Sequence, residues 1–512
     1  MPEPVNTSTL RSRVRELRRI RAAMIRMETT FAGDLKAVHP VHRQGARNLL
    51  HYLALPRPET PHPGEMIGIP GLCSLAGGGT SVLSGIEAIL EILEKEGDLG
   101  FGVPEGRALL EKQTRALLGP KPEGRRTRIM VTAPAEAAVD PAFALDLVKR
   151  GMDVMRINCA RDDASTWLAM IKNLKRAERK AARSCRVFMD LAGPKLRTGP
   201  IRVGRAGAGS PPGSFRLRKG DRLLLTRNAD PGGPAVVDGD GVVISQASIG
   251  VTFPRVLEDV RPGEPLWIDD GKIGGVIRRV TKAGVEVEIT RVRERGRRLR
   301  ADRGINLPGS HLHLPSVTEK DAKDLRFIAA NADMVGLSFV RDVENINDAR
   351  SLVADYGGEA LGLVVKIENR RAWEQLPALL LAGMKSKRVG VLIARGDLAV
   401  ECGFDRIADL QEEILGMCKA AHVPVIWATQ VLEDLTQEGL ATRPEMTDAA
   451  AARRAECVLL NKGPYIGEAL ETLDALLRGP RYPRRRKAMG STIPAILKRQ
   501  SGSKNLKGKA PL

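Results

Sequence analysis

Two short apolar runs in the second half of the chain each end in charge. Leu363-Val-Val-Lys-Ile-Glu-Asn closes on Lys366 and Glu368, and Val389-Gly-Val-Leu-Ile-Ala-Arg-Gly-Asp closes on Arg395 and Asp397. Continuous apolar runs separated by a helix-length spacer are what strands buried on both faces of a parallel sheet look like. The four polar residues then stand at or near the C-terminal ends of two neighbouring strands, where (β/α)-barrels keep their chemistry. Glu368 and Asp397 could hold a divalent metal ion, with Lys366 lending positive charge to whatever that ion binds. For any one of these residues alone, a strand-end salt bridge is the competing explanation.

Such strands need a barrel around them, and the surrounding sequence has its pattern. Strand-like runs fall at 128–132, 154–158, 186–190, 334–339, 363–367, 389–394, 423–429 and 457–461, with helical stretches such as 139–151 and 162–182 between them. Eight strands alternating with helices are the count for a closed TIM-type (β/α)8 barrel, an α/β fold. Their ends carry Arg156, Asn158, Asp190, Ser338, Lys366, Glu368, Asp397, Thr429 and Asn461. Packing does not explain polar groups converging at one end of a barrel.

Between the third and fourth strands the texture changes. Short runs at 222–226, 242–245, 265–268 and 284–292 alternate or cluster like strands, with Gly, Pro and Asp between them. The expectation is a barrel domain at 123–195 and 313–478, interrupted by an all-β insertion at 196–312. An insertion at the catalytic end commonly acts as a lid that excludes water.

The two ends of the chain differ from this core. Residues 1–122 read as a helical extension, with an Arg-rich amphipathic helix at 9–28 and further helices at 42–55 and 81–95. An organelle transit peptide is one reading of that start; Glu16 and Glu28 argue instead for a docked surface helix. Residues 479–512 contain ten Lys or Arg and no acid, half of the net charge of +20, and read as a solvated, disordered tail. A nucleic-acid or acidic partner is the weaker reading of that tail, because Tyr482 is its only aromatic and offers no stacking platform. No apolar run approaches the roughly 18 residues of a membrane span, and no signal peptide stands at the start, so the expected place is the cytoplasm. The six cysteines form no CxxC pair and read as buried free thiols.

From about Arg128 to Leu477 the chain resembles pyruvate kinase. The resemblance rests on separated motifs in the family's order, among them Met155-Arg-Ile-Asn, Asp190-Leu-Ala-Gly-Pro-Lys-Leu-Arg-Thr-Gly, Ile268-Asp-Asp-Gly, Arg303-Gly-Ile-Asn-Leu-Pro-Gly, Lys366-Ile-Glu-Asn, Ala394-Arg-Gly-Asp-Leu and Ala428-Thr-Gln. It implies transfer of a phosphoryl group from phosphoenolpyruvate to ADP, giving pyruvate and ATP, with Mg²⁺ or Mn²⁺ as cofactor. Lys366 would bridge the transferring phosphoryl and stabilise the enolate, and Glu368 and Asp397 would ligate the metal. Arg156 and Arg197 would clamp phosphates beside Asn158. The backbone N–H groups of Gly396 and Asp397 would hold the substrate carboxylate with Thr429, and Asp270 and Arg303 would face the nucleotide. A homo-oligomer built through the barrel is also implied.

The departures from the family's pattern carry expectations of their own. Cys159-Ala-Arg-Asp replaces an aromatic followed by Ser-His-Gly, and Leu460-Asn-Lys-Gly-Pro replaces Leu-Ser-Gly-Glu-Thr, which puts Asn461, Lys462 and Gly463 close to the enolate. Ala160 stands where a potassium ligand is usual, while Gly193-Pro-Lys195 has the lysine of potassium-independent members; Lys195 is therefore expected to replace the ion as an internal cation. The usual C-terminal regulatory domain is absent from the expected organisation, and the N-terminal extension is unusual. Two alternatives stay open at this point: a Mg²⁺-dependent pyruvate-enolate lyase or aldolase, and a non-catalytic homologue that acts as a binding protein.

Overall fold

The computed structural model describes residues 7–55, 81–94, 104–202, 213–228, 230–240 and 242–478. The basic tail at 479–512 and the Pro- and Gly-rich stretch at 56–79 lie outside the described residues.

Eight parallel strands close into a barrel: Arg128–Thr132, Val154–Asn158, Arg186–Asp190, Met334–Leu337, Gly362–Ile367, Val389–Ala394, Val425–Ala428 and Cys457–Leu460. The first pairs with the last, Arg128 opposite Cys457, and that pairing completes the ring. The fourth, seventh and eighth strands stop one or two residues short of their apolar runs, so Ser338, Thr429 and Asn461 fall in the loops just beyond the ladder. Helices such as Pro141–Arg150 and Ala164–Ala181 return the chain between strands. The second of these is capped at its start by Asp163, whose carboxylate accepts from the Thr166 N–H.

Each strand feeds two cores. Outward residues such as Val131, Ile157, Val187, Val335, Val365 and Ile393 pack under the helices. Inward residues, among them Met130, Val154, Phe188, Val364, Leu392 and Ile426, fill the lumen. Both faces are apolar, and this is why the strands read as unbroken apolar runs.

The N-terminal region packs on the barrel. Helix Pro104–Leu118 drives Leu117 and Leu118 into the lumen cluster at the end opposite the polar strand termini. Gly362 and Gly390 make room for this; a Cβ on either would stand 2.5 Å from a Leu117 methyl. Helix Arg43–Leu53 docks beside helix Ile407–Ala420, with Asn48 Nδ2 donating to the Ala420 carbonyl at 2.7 Å and His42 Nε2 hydrogen-bonded to the Lys387 carbonyl at 3.0 Å. Burial pushes the His42 imidazole down to about 4, so it sits in this seam uncharged. Helices Thr7–Thr30 and Val82–Glu94 add a small core of Leu17, Ile20, Met24, Val82, Ile86 and Leu90.

Between the third and fourth barrel strands lies the inserted β structure. Its six-stranded sheet includes Arg222–Thr226, Pro265–Ile268, Ile273–Val280 and Gly284–Arg291, and a separate two-stranded ribbon pairs Ser214–Leu217 with Arg297–Arg300. Leu223, Leu225, Ile249, Leu266, Ile277, Val287 and Leu299 make its core, distinct from those of the barrel. The insertion touches the barrel at polar points: Asn306 Nδ2 donates to Glu401 Oε1 at 2.9 Å, and Gly304 lies against the Lys195 side chain.

Candidate active site

Strand parity decides which side chains reach the mouth of the lumen. Residues two apart on a strand face the same way, so the inward rows begun by Val154, Phe188, Met334 and Val364 continue to Arg156, Asp190, Gly336 and Lys366. At Gly336 a Cβ would lie 2.6 Å from the Phe188 ring and 2.7 Å from Asp190 Oδ1; glycine there lets the Asp190 carboxylate lie flat across the barrel. A cavity of about 160 Å³ opens above these rows.

Asp190 is the hub of that cavity. It is 1% exposed, accepts from Arg156 Nη2 at 2.7 Å and Nε at 2.9 Å, and lies 3.0 Å from Lys366 Nζ. Burial alone would push its carboxyl up, but the Lys366 and Arg156 charges outweigh burial and hold it below the usual carboxylate range. Lys366 also lies 3.1 Å from Glu368 Oε1 and donates to Ser338 Oγ at 2.7 Å. Burial disfavours its ammonium, yet the two carboxylates win and raise it above the usual lysine value, so it stays charged. Glu368 accepts from the Phe339 N–H at 2.5 Å and is shifted the other way from Asp190: burial first, and then the Asp397 charge, push it up against the pull of Lys366.

Across the cavity Asp397 stands in the first turn of helix Arg395–Cys402. Lys195 Nζ bridges both of its oxygens at 2.9 and 3.1 Å and lies 5.3 Å from the centroid of the Phe339 ring. Beside it, a Cβ on Gly396 would reach Thr429 Oγ1 at 3.3 Å, so glycine keeps the start of this helix open toward the threonine. Arg395 points away from the cavity, donating to the Ala428 and Thr429 carbonyls and pairing with Asp448.

Of the residues singled out from the sequence, Arg156, Asn158, Lys195, Arg197, Lys366, Glu368, Asp397 and Thr429 line this one cavity, together with Ala160. Asn158 Oδ1 accepts from the Ala160 N–H at 3.1 Å, which folds the loop after the second strand. Asp270 and Arg303 lie in the insertion, outside the cavity lining. Asp270 is exposed at the turn joining Pro265–Ile268 to Ile273–Val280, and it is its neighbour Asp269, 7% exposed, that gathers the cations. Arg303 Nη1 lies 3.6 Å from Asp269, and Arg197 lies 3.5 Å from Asp302. Asn461 donates to Glu433 at 2.9 Å and does not line the cavity. Asp190 and Ser338 prove more central than their places among the strand-end polar groups suggest. The available signal was that Asp190 is the carboxylate that closes the apolar run Val187-Phe-Met of the third strand.

Among the described residues no group of three or more His, Cys, Asp or Glu side chains is gathered as a ready metal cage. Glu368 and Asp397 fit a divalent ion in another way. They face the same small cavity, and the charge on Asp397 disfavours ionised Glu368, a repulsion that a cation between them would relieve. Mg²⁺ is commonly bound through one or two carboxylates, with substrate oxygens and water completing its shell.

Comparisons with known proteins cover the same part of the chain. The profile described as "Pyruvate kinase, barrel domain" matches residues 124–468. Pyruvate kinase of Bacillus licheniformis is 30% identical over 357 residues, 68% of this chain and 56% of that protein. Pyruvate kinase 1 of Trypanosoma brucei brucei is 31% identical over 364 residues, 70% of this chain and 67% of that protein. Human pyruvate kinase PKLR is 28% identical over 368 residues, 69% of this chain and 59% of that protein. The chain thus spans little more than half the length of the Bacillus protein. Over the barrel that carries Lys366, Glu368 and Asp397, this chain belongs to the pyruvate kinase family.

Proposed function

We propose that this chain transfers a phosphoryl group between phosphoenolpyruvate and ADP. The observation that carries the reading is the Lys366 ammonium, buried and held charged between Asp190 and Glu368 at the closed end of a cavity that Arg156, Arg197 and Lys195 also line. Phosphoryl transfer depends on in-line positioning and on cancelling negative charge more than on covalent help. Fixed charges in a dry site do this without the reorganisation that water requires.

In this reading Arg156 releases part of its fork from Asp190 to grip a phosphoryl oxygen, a bidentate geometry that suits arginine. Lys366 lies where negative charge grows on the bridging oxygen as the enolate leaves, and Asp190 keeps both cations aimed. The N–H groups at the start of helix Arg395–Cys402, with Thr429, receive the substrate carboxylate. Glu368 and Asp397 would hold Mg²⁺ or Mn²⁺, which when bound supplies further charge neutralisation at the phosphoryl oxygens. Lys195 would then exchange Asp397 for the substrate and supply the positive charge of a bound potassium ion. From the insertion, Arg197, Asp270 and Arg303 would address the nucleotide phosphates, and water would be shut out beneath them.

Lys366 and the phosphate-facing arginines together support this reading over a lyase or a non-catalytic role, neither of which has an observation in its favour. A cytoplasmic place and assembly through the barrel complete the reading. Among the described residues no helix is long and apolar enough to cross a membrane. The test is a coupled assay of pyruvate release from phosphoenolpyruvate and ADP with Mg²⁺. Turnover that requires both substrates supports the reading, and none above background at millimolar substrate refutes it.

A further inference from the structure

A second cleft lies where the insertion meets the barrel, apart from the cavity that the proposed reaction uses. It encloses about 890 Å³, shares no lining residue with that cavity, and includes none of Arg197, Asp270 and Arg303. One wall is the outer face of the six-stranded sheet. Trp267 pairs with Asn306 on one side and with Gly274 on the other, and Gly274 pairs in turn with Arg291, so these four share a face opposite the core residues Ile268, Ile273 and Ile305. A Cβ on Gly274 would stand 2.5 Å from the Trp267 ring. Glycine there lets the indole lie across the strand toward Arg291, whose guanidinium is 5.7 Å from the ring centroid.

The other wall is the last turn of helix Arg395–Cys402 and the residues just after it. Val400 and Phe404 come up against the insertion at Gly271, where a Cβ would lie 3.4 Å from the first and 3.7 Å from the second. The Asn306–Glu401 hydrogen bond at 2.9 Å ties the two walls together. Phe404 is nevertheless 66% exposed, and neither its ring nor that of Trp267 packs on another aromatic ring among the described residues. Two cations, Arg291 and Arg370, are exposed along the cleft, and neither makes an ion pair among the described residues. The carboxyls facing them are Glu401 and Asp405, and burial raises Glu401 to about 7, which leaves Asp405 as the full negative charge near neutral pH. Apolar walls with a few polar groups, in a volume within roughly 300–1,000 Å³, are the usual make-up of a small-molecule site.

We infer that this cleft is a second ligand site, built for a flat aromatic molecule that carries a single acidic group. The molecule's ring lies against Trp267 and Phe404, where aromatic contacts add to the area buried, and its acid meets Arg370. A nucleotide fits less well, because two cations do not match the charge of its phosphates. One wall belongs to the insertion and the other to the barrel, so an occupant holds the two together. The site does not depend on whether the barrel transfers phosphoryl groups.

The probe is 2-naphthoate, titrated by calorimetry into the full chain without substrates. Phe404→Ala removes one aromatic wall, and affinity should fall about tenfold. Arg370→Gln removes a charge-assisted contact, so 2-naphthoate should weaken about tenfold while the neutral 2-naphthamide binds the variant within threefold of wild type. Both side chains are exposed, so both variants should keep the wild-type melting temperature. No binding of 2-naphthoate at millimolar concentration, or a loss under threefold in Phe404→Ala, overturns the site. Equal losses of the acid and the amide in Arg370→Gln overturn the acidic group, and cyclohexanecarboxylate binding as tightly as 2-naphthoate overturns the aromatic one. Competitive displacement of 2-naphthoate by ADP with Mg²⁺ assigns the binding to the nucleotide's site and overturns a second one.

Discussion

Replacing Lys366 by methionine tests the proposed chemistry most directly. Methionine keeps most of the side-chain length and removes only the ammonium, which lies 3.0 Å from Asp190 and 3.1 Å from Glu368. A unit charge about 4 Å from developing negative charge is worth roughly 4 kcal/mol at an effective dielectric constant near 20. Each 1.36 kcal/mol is tenfold in rate, so kcat should fall about 10³-fold. The variant also leaves two buried carboxylates facing each other, and breaking a buried pair from one side costs about 3–5 kcal/mol when both remaining charges persist. Glu368, already shifted upward, can take a proton and relieve part of that cost. A carboxyl whose folded pKa lies above its unfolded value binds a proton preferentially in the folded state. The variant's stability relative to wild type should therefore fall as pH rises from the unfolded carboxyl value toward the raised folded one. The assay is single-turnover pyruvate formation, with thermal melts at pH 5 and pH 8 run alongside. A folded variant that keeps more than about a tenth of wild-type turnover would refute the role given to Lys366, since removal of such electrostatic groups ordinarily costs 10² or more.

Three further outcomes follow from other parts of the molecule. With Lys195 in place of the ion, activity should persist when potassium is exchanged for tetramethylammonium at equal ionic strength, and Lys195→Glu should be crippled by setting a second carboxylate beside Asp397; a tenfold potassium stimulation of the wild type, about 1.4 kcal/mol, contradicts this. Burial raises Glu401 to about 7 against the opposing pull of the Asn306 N–H, so ionising it in place costs folding stability as pH rises above the ordinary carboxyl range, about 3 kcal/mol by pH 8. Glu401→Gln should accordingly melt higher than wild type at pH 8 but not at pH 5, and an equal difference at both pH values excludes the mechanism. Leu117→Ala empties the floor of the barrel and should cost about 2–5 kcal/mol in denaturant unfolding, with a loss under 1 kcal/mol showing that the floor collapses to fill the gap.

The strands, their order and the inserted β segment were legible in the sequence because each depends on local information. Apolar runs of four to six residues between helical stretches, and Gly-, Pro- and Asp-rich breaks between short β runs, need no distant partner to be recognised. The motifs around Lys366, Glu368 and Asp397 were legible for the same reason, since each is contiguous. Tertiary structure alone decided the rest. Because the barrel strands are apolar on both faces, they show no alternation from which inward parity could be read, so the convergence of Arg156, Ser338 and Lys366 on Asp190 appears only once the ring closes. Lys195 meets Asp397 across 202 residues of chain, a pairing that exists only once the closed barrel brings the loop after its third strand beside helix Arg395–Cys402. The helical extension likewise gave no local sign that Leu117 would enter the lumen. That contact exists because Gly362 and Gly390, on two neighbouring strands, together leave a space that a leucine fills.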